Sequence, residues 1–299
     1  MPNKTAAALG LFDGVHLGHR AVLQAAAAQS ADGLTPAAFT FQPELASVKG
    51  AAGFLYPEAL KEHLLRTECG MEEIYAPSFP EIAALSGEDF VREILCGRIH
   101  AASVVCGEDF RFGKAAAWDA SDLRRFGTQY GFDVTIVGAV CSGGEPVSSS
   151  RIRGLLESGD IAAANALLGE PYRIRGEIVH GAHLGHTIGF ATINQSFVPG
   201  QLVPRFGVYA SETRTPDGWQ LSVTNIGVKP TVGYTGLPLA ETHILDYAGD
   251  LYGQELDVIL TDFLRGEQKF DSLDTLQLQL GSDIAQRRHI SGNYHHPDT

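Results

Sequence analysis

Two histidines three residues apart, His16 and His19, stand with Gly14 and Gly18 inside F-D-G-V-H-L-G-H, residues 12–19. The apolar run A-A-A-L-G-L-F before them stops at Asp13-Gly14, and the helix-favouring stretch R-A-V-L-Q-A-A-A-A-Q follows, which reads as strand, turn, helix. A helix N-terminus offers unpaired N–H groups and partial positive charge, so it binds phosphate, and glycines let the backbone come close. Two imidazoles at this spacing can face one anion and stabilise charge on it. The alternative reading is a pair of surface histidines in a turn. A second cluster, S-S-S-R-I-R at 148–153, also precedes a helical segment. Ser149 and Ser150 read as caps or as phosphate donors. Arg151 and Arg153 add planar cationic donors, or a solvated face.

A third set lies in G-F-A-T-I-N (189–194) and L-A-E-T-H-I-L-D (239–246). In an extended segment Thr192 and Asn194 point the same way and can offer two neutral oxygens to Mg²⁺, a hard cation that keeps most of its water. Glu241 is the natural proton acceptor. Without further context the structural reading wins: a solvated carboxylate and two turn residues. G-E-D-F-R-F-G-K-A at 107–115 looks like a P-loop but has five residues between Gly107 and Gly113 where that motif has four, and Ala115 where it needs Ser or Thr. It is read as a glycine-permitted ligand loop in which Phe110, Arg111 and Phe112 offer aromatic and cationic surface. His180, His183 and His186 lack the i, i+4 spacing of a zinc helix and are read as a loop.

These residues need elements to hold them. Apolar and helical segments alternate over the first half: P-A-A-F-T-F (36–41) strand, E-A-L-K-E-H-L-L-R-T-E (58–68) helix, E-E-I-Y-A-P (72–77) strand, G-E-D-F-V-R-E-I-L-C-G-R-I (87–99) helix. A-S-V-V-C-G (102–107) and D-V-T-I-V-G-A-V (133–140) then flank the helical S-D-L-R-R-F-G-T-Q-Y-G (121–131). That grammar implies a doubly wound parallel sheet covered on both faces. Two short helical segments follow, closed by Gly169-Glu170-Pro171. From Tyr172 the chain reads as an antiparallel β-barrel, with Ile174 and Ile178 on one face and a hairpin turn at Thr215-Pro216-Asp217-Gly218. A terminal helix should lay Leu273, Leu276, Leu280 and Ile284 against it. The expected domains are 1–171 and 172–299.

The chain has 299 residues, 44% hydrophobic and 19% charged, enough for two cores. A net charge of −13 repels polyanions, so nucleic acid is not an expected partner and any phosphate must be held by local donors. Cys69, Cys96, Cys106 and Cys141 are widely spaced and form no C-x-x-C pair, which suits a reducing compartment. No apolar stretch approaches the roughly 20 residues of a membrane span, and M-P-N-K-T-A-A-A-L-G does not resemble a signal peptide, so a soluble cytoplasmic protein without membrane partners is expected.

Taken together, these motifs resemble those of the prokaryotic bifunctional riboflavin kinase/FMN adenylyltransferases, and the similarity covers nearly the whole chain. F-D-G-V-H-L-G-H looks like that family's H-x-G-H nucleotidyltransferase signature, G-E-D-F-R-F-G-K its flavin-side loop and S-S-S-R-I-R its second phosphate motif. G-F-A-T-I-N, T-N-I-G-V-K-P-T (224–231), E-T-H-I-L-D, D-L-Y-G and F-L-R follow in the order of the kinase half. The resemblance implies a nucleotidyltransferase domain that adenylylates FMN to FAD and releases pyrophosphate. There His16 and His19 would act on the phosphates, Ser149, Ser150, Arg151 and Arg153 would hold the pyrophosphate, and Phe110, Arg111 and Phe112 would line the flavin. It implies a kinase barrel that phosphorylates riboflavin to FMN with ATP, where Thr192 and Asn194 hold Mg²⁺ and Glu241 takes the hydroxyl proton. The chain departs from the family pattern at Ala191, where Pro is usual, at His183, Leu184 and His186, where basic residues are common, and at Glu44 and Leu11. An adenylyltransferase with a weakened kinase and a flavin-binding sensor therefore remain alternatives.

Overall fold

The computed structural model describes residues 3–41, 53–179, 192–228 and 238–290. Glu44, His180, His183, Leu184, His186, Ala191, residues 229–231 and the C-terminal tail lie outside the described residues. Contacts divide the chain into two compact units, Met1–Ser150 and Arg151–Thr299.

The first unit is built on five parallel strands: β1 (Thr5–Leu9), β2 (Thr35–Phe39), β3 (Glu73–Tyr75), β4 (Ala101–Gly107) and β5 (Asp133–Val137). Their order is β3-β2-β1-β4-β5. The strand T-A-A-A-L is buried at every position, as a central parallel strand covered on both faces must be. Helix α1 (Leu17–Ala27) packs on β1, β2 and β4, and α2 (Glu58–Thr67) leads into β3. The helix expected over 87–99 begins as an α-turn at Gly87–Asp89 and continues as a π-helical stretch, Phe90–Arg98, whose buried Phe90, Val91, Ile94 and Leu95 join the core. Helix α3 (Ala120–Tyr130) starts at a reciprocal Asp119–Asp122 capping box. The chain leaves β1 towards β2 and later returns on β1's other side as β4. This reversal opens a crevice beyond the strands' carboxyl ends, the usual ligand position in such sheets.

The second unit opens with α4 (Ser149–Ser158), whose first two residues precede the contact division, and α5 (Ile161–Leu168). Six antiparallel strands follow: β6 (Tyr172–Glu177), β7 (Ile193–Ser196), β8 (Gly207–Thr215), β9 (Gly218–Gly227), β10 (Leu239–Ile244) and β11 (Glu255–Arg265). Their order is β6-β11-β8-β9-β10-β7. The two ends of this sheet meet: Val179 bridges Asn194, and the Gln195 Nε2 donates to the carbonyls of Gly176 and Leu256. That nearly closes a barrel and leaves little free edge. Helix α5 is tied to the barrel by Asn165, whose side chain donates to the Leu260 carbonyl and accepts from the Tyr172 N–H. The hairpin turn falls where its residues placed it, with Thr215 paired to Gly218.

Helix α6 (Leu273–His289) corrects part of the expected apolar stripe. Ile284 meets the cluster of Val208, Val223 and Leu245, but Leu273 is 62% exposed. The helix's buried positions are instead Asp283 and Arg287. Asp283 takes a two-pronged contact from Arg265 at 2.7–3.2 Å, and Arg287 pairs with Glu212 at 2.9 Å while its Nε donates to the Ser211 carbonyl. Removing one side of such a buried pair costs about 3–5 kcal/mol. Arg287→Ala is therefore expected to lower the urea midpoint of the barrel's unfolding, although Arg287 is assigned no part in the chemistry. An unchanged midpoint would show that the leucines carry the docking after all.

Candidate functional site

The F-D-G-V-H-L-G-H loop leaves the carboxyl end of β1, and G-E-D-F-R-F-G-K leaves that of β4, the adjacent strand in register with it through Leu9 and Cys106. Both motifs thus open onto the crevice at the strand-order reversal. The first loop makes a tight path: Phe12, Gly14 and Val15 take φ of 51°, 82° and 42°. Left-handed backbone is costly for a β-branched residue such as Val15, the kind of strain that persists at functional sites because its surroundings enforce it. At Gly14 a Cβ would meet the Leu55 side chain, so the position excludes larger residues twice over. The buried Asp13 accepts the Leu55 N–H at 2.8 Å and ties the loop to the neighbouring segment.

His16 caps α1, its Nδ1 accepting the His19 N–H at 3.3 Å. The two rings stack at 3.6 Å between centroids, with Phe12 edge-on to His19. The structure therefore brings both predicted histidines together at a helix N-terminus. His19 titrates well below its ordinary value because burial disfavours its charge, with His16 and Lys61 adding repulsion. Its Nδ1 is buried without a hydrogen-bond partner, an unusual cost that a ligand can relieve.

The serines of the second phosphate motif reach the first motif within the same unit. Ser149 donates to the Asp13 carbonyl at 2.9 Å, and the Val147 carbonyl lies near Gly18. Ser150 is exposed at the start of α4, and Arg151 and Arg153 follow in its first turns, Arg153 buried.

The third loop is not a P-loop in structure either: it turns into a two-strand ribbon, Arg111–Phe112 against Trp118–Asp119, where a P-loop would start a helix. Phe112 is a core residue packed on Phe90 and Phe126 and anchors the loop. The outward surface falls to Phe110, stacked on Phe112 at 5.9 Å, and to the exposed Arg111, which faces Asp119 at 3.6 Å.

In the barrel, Thr192 donates to the Glu241 Oε1 at 3.0 Å, and Asn194 on β7 sits directly opposite Glu241 on β10. The Asn194 Oδ1 is buried with no hydrogen-bond partner. A buried acceptor without a donor, beside a hydroxyl and a carboxylate, is an all-oxygen set that fits a hard divalent cation. Among the described residues no group of three His, Cys, Asp or Glu could hold a metal. The strand pairing adds Asn225 of β9, opposite Glu241 on its other side.

Sequence reasoning missed Asp13, Thr40 and Lys61. Lys61 is 4% exposed and donates to the Thr40 hydroxyl at 3.2 Å and the Phe41 carbonyl at 2.6 Å. The signal was present: Lys61 lies three and four residues before Leu64 and Leu65, on the apolar stripe of its helix.

Residues 1–151 match the FAD synthetase family and residues 168–291 the riboflavin kinase family. The chain is 38% identical to the bifunctional riboflavin kinase/FMN adenylyltransferase of Escherichia coli K12, over 95% of this chain and 92% of that one. It is 34% identical to the protein of that description from Listeria monocytogenes, over 92% and 89%. Among solved structures, a crystal structure described as a macrolide-efflux protein from Streptococcus pneumoniae superposes with a TM-score of 0.83 at 30% identity, covering 97% of this chain and 96% of the other. Among the described residues, no helix is long and apolar enough to cross a membrane.

Proposed function

The chain belongs to the bacterial bifunctional riboflavin kinase/FMN adenylyltransferase family, and on that premise we propose that its two units perform consecutive steps on one flavin. The barrel transfers the γ-phosphoryl of ATP to the riboflavin 5′-hydroxyl, giving FMN and ADP. The parallel-sheet unit joins FMN to the α-phosphorus of a second ATP, giving FAD and pyrophosphate. We assign the two activities to residues 1–171 and 172–299, so that α4 and α5, which the contact division groups with the barrel from Arg151 onward, go with the first activity.

Phosphoryl transfer is mostly positioning and charge stabilisation, so the barrel needs little more than a proton acceptor and oxygen ligands. In this reading Glu241 takes the hydroxyl proton, held in place by the Thr192 hydroxyl. Thr192 and Asn194 would hold Mg²⁺, which when bound neutralises charge on the phosphates. In the other unit the FMN phosphate is itself the nucleophile, and no covalent intermediate is needed. His16 and His19 donate to the α- and β-phosphates, and Ser149, Ser150, Arg151 and Arg153 secure the departing pyrophosphate. Phe110 and Arg111 face the flavin, with Phe112 anchoring their loop. The four cysteines are free, which favours a reducing, cytoplasmic setting.

The observation that carries the reading is the stacked His16–His19 pair at the mouth of β1, in a chain whose other unit joins Thr192, Asn194 and Glu241. The Thr192–Glu241 bond joins two of the residues assigned to the kinase chemistry. The test incubates the full chain with riboflavin, ATP and Mg²⁺ and separates the flavins. FMN and then FAD are expected. Absence of both overturns the proposal, and FAD formed from supplied FMN but not from riboflavin confines it to the first unit.

A further inference from the structure

We propose that Lys61 is a positioning residue for adenylyl transfer: through Thr40 its buried ammonium fixes the backbone entry to the His16–His19 loop and keeps positive charge behind it. The inference rests on the adenylyl-transfer reading of that loop. Lys61 reaches from α2 to the carboxyl end of β2, where its Nζ donates to the Thr40 hydroxyl and the Phe41 carbonyl. The Thr40 hydroxyl in turn donates to the Leu11 carbonyl at 2.8 Å. A continuous path therefore runs from the ammonium to the residue just before Phe12, where the left-handed stretch of the loop begins.

A neutral side-chain amide NH2 could donate to two neutral oxygens without desolvating a charge, so burying an ammonium for this purpose is costly. The cost makes sense if the charge itself is used. The titratable groups facing it are Asp13 and His19 from the loop and helix ahead, and Glu58 on its own helix. Asp13 and Glu58 favour the ammonium, whereas His19, kept neutral chiefly by its burial and then by His16, is further disfavoured as a cation by Lys61. Positive charge behind the loop attracts a polyphosphate that the acidic chain as a whole repels.

Burial lowers this ammonium from 10.5 to about 8, Asp13 and Glu58 offsetting part of the drop. Its charge is therefore present at neutral pH and lost as pH rises through about 8, where an ordinary lysine would keep it. The test measures FAD formation from FMN and ATP by the full chain across this range. Lys61→Met is expected to lower kcat roughly 10²-fold, the scale of a mispositioned site, with a smaller change in KM for ATP. Lys61→Arg should retain most of the neutral-pH rate and move the alkaline fall of kcat upward, because a guanidinium stays charged. Thr40→Val should lower kcat by about tenfold while leaving the alkaline fall where it is.

A Lys61→Met enzyme within about threefold of wild type would overturn the proposal. So would an alkaline fall unmoved in Lys61→Arg, since a purely structural lysine predicts no shift. If Lys61→Met fails to fold by circular dichroism, the Arg and Val variants decide. Failure of the underlying reading looks different: the unaltered chain would then form no FAD from FMN at any pH, and the proposal would go with it.

Discussion

Glu241→Gln is expected to lower riboflavin phosphorylation by about 10²–10⁴-fold, the usual contribution of a positioned general base, while leaving FAD formation from supplied FMN unchanged. The substitution is nearly isosteric. A glutamine Oε1 can still accept the Thr192 hydroxyl hydrogen bond seen at 3.0 Å, and the β7–β10 pairing that seats Asn194 opposite position 241 is a backbone feature. What is lost is a group able to take the proton from the attacking hydroxyl. The loss should fall on kcat, with KM for riboflavin little altered, because an amide at position 241 can still hydrogen-bond the 5′-hydroxyl but cannot take its proton. The second activity on the same chain serves as the internal control: equal loss of both would indicate misfolding. A kcat for FMN formation within about threefold of the unaltered chain would remove Glu241 from its role.

The strands were legible because parallel strands buried on both faces are almost continuously apolar, as T-A-A-A-L shows, and because helices between them carry turn residues at their ends. The position of His16 and His19 followed from the same local grammar, since strand, turn and helix lie within about twenty residues. Buried charge was not legible. Arg287 meets Glu212 75 residues away, and Arg265 meets Asp283 across 18 residues, so the face α6 buries depends on partners that helical periodicity cannot see. The leucine stripe gave a helix in the right place docked partly by the wrong residues. Lys61 was legible in part: its place on the apolar stripe of E-A-L-K-E-H-L-L marks it as facing the core, but nothing local shows the Thr40 of β2 that receives its ammonium. In the barrel, Thr192 and Glu241 are 49 residues apart. Nothing local pairs them; residue type grouped them and the family resemblance gave them roles before the strand register set Asn194 opposite Glu241.

His16→Ala and His19→Ala are each expected to lower FAD formation from FMN by about 10²–10³-fold, the cost of removing one positioned donor from a developing charge, with riboflavin phosphorylation unaffected. The two histidines should nevertheless fail in different ways. His16 also caps α1 through its Nδ1, so His16→Ala loses a cap worth about 1 kcal/mol as well as the donor. His16→Ser separates these effects, since serine is among the best caps, is neutral and is too short to replace the imidazole as a phosphate donor. If stability returns and activity does not, His16 acts on substrate; if both return, it is only a cap. His19 is held neutral by burial, by His16 and by Lys61, so it enters the reaction as an uncharged donor. A neutral amide should then replace part of it, with His19→Asn about tenfold more active than His19→Ala. The same neutrality fixes a sign in stability. The unfolded chain protonates this imidazole near 6.5 while the folded chain resists, so the first unit should lose stability as pH falls below about 6.5. Thermal unfolding should show that acid-side loss reduced in His19→Asn, and an identical slope in both proteins would place the buried neutral imidazole elsewhere.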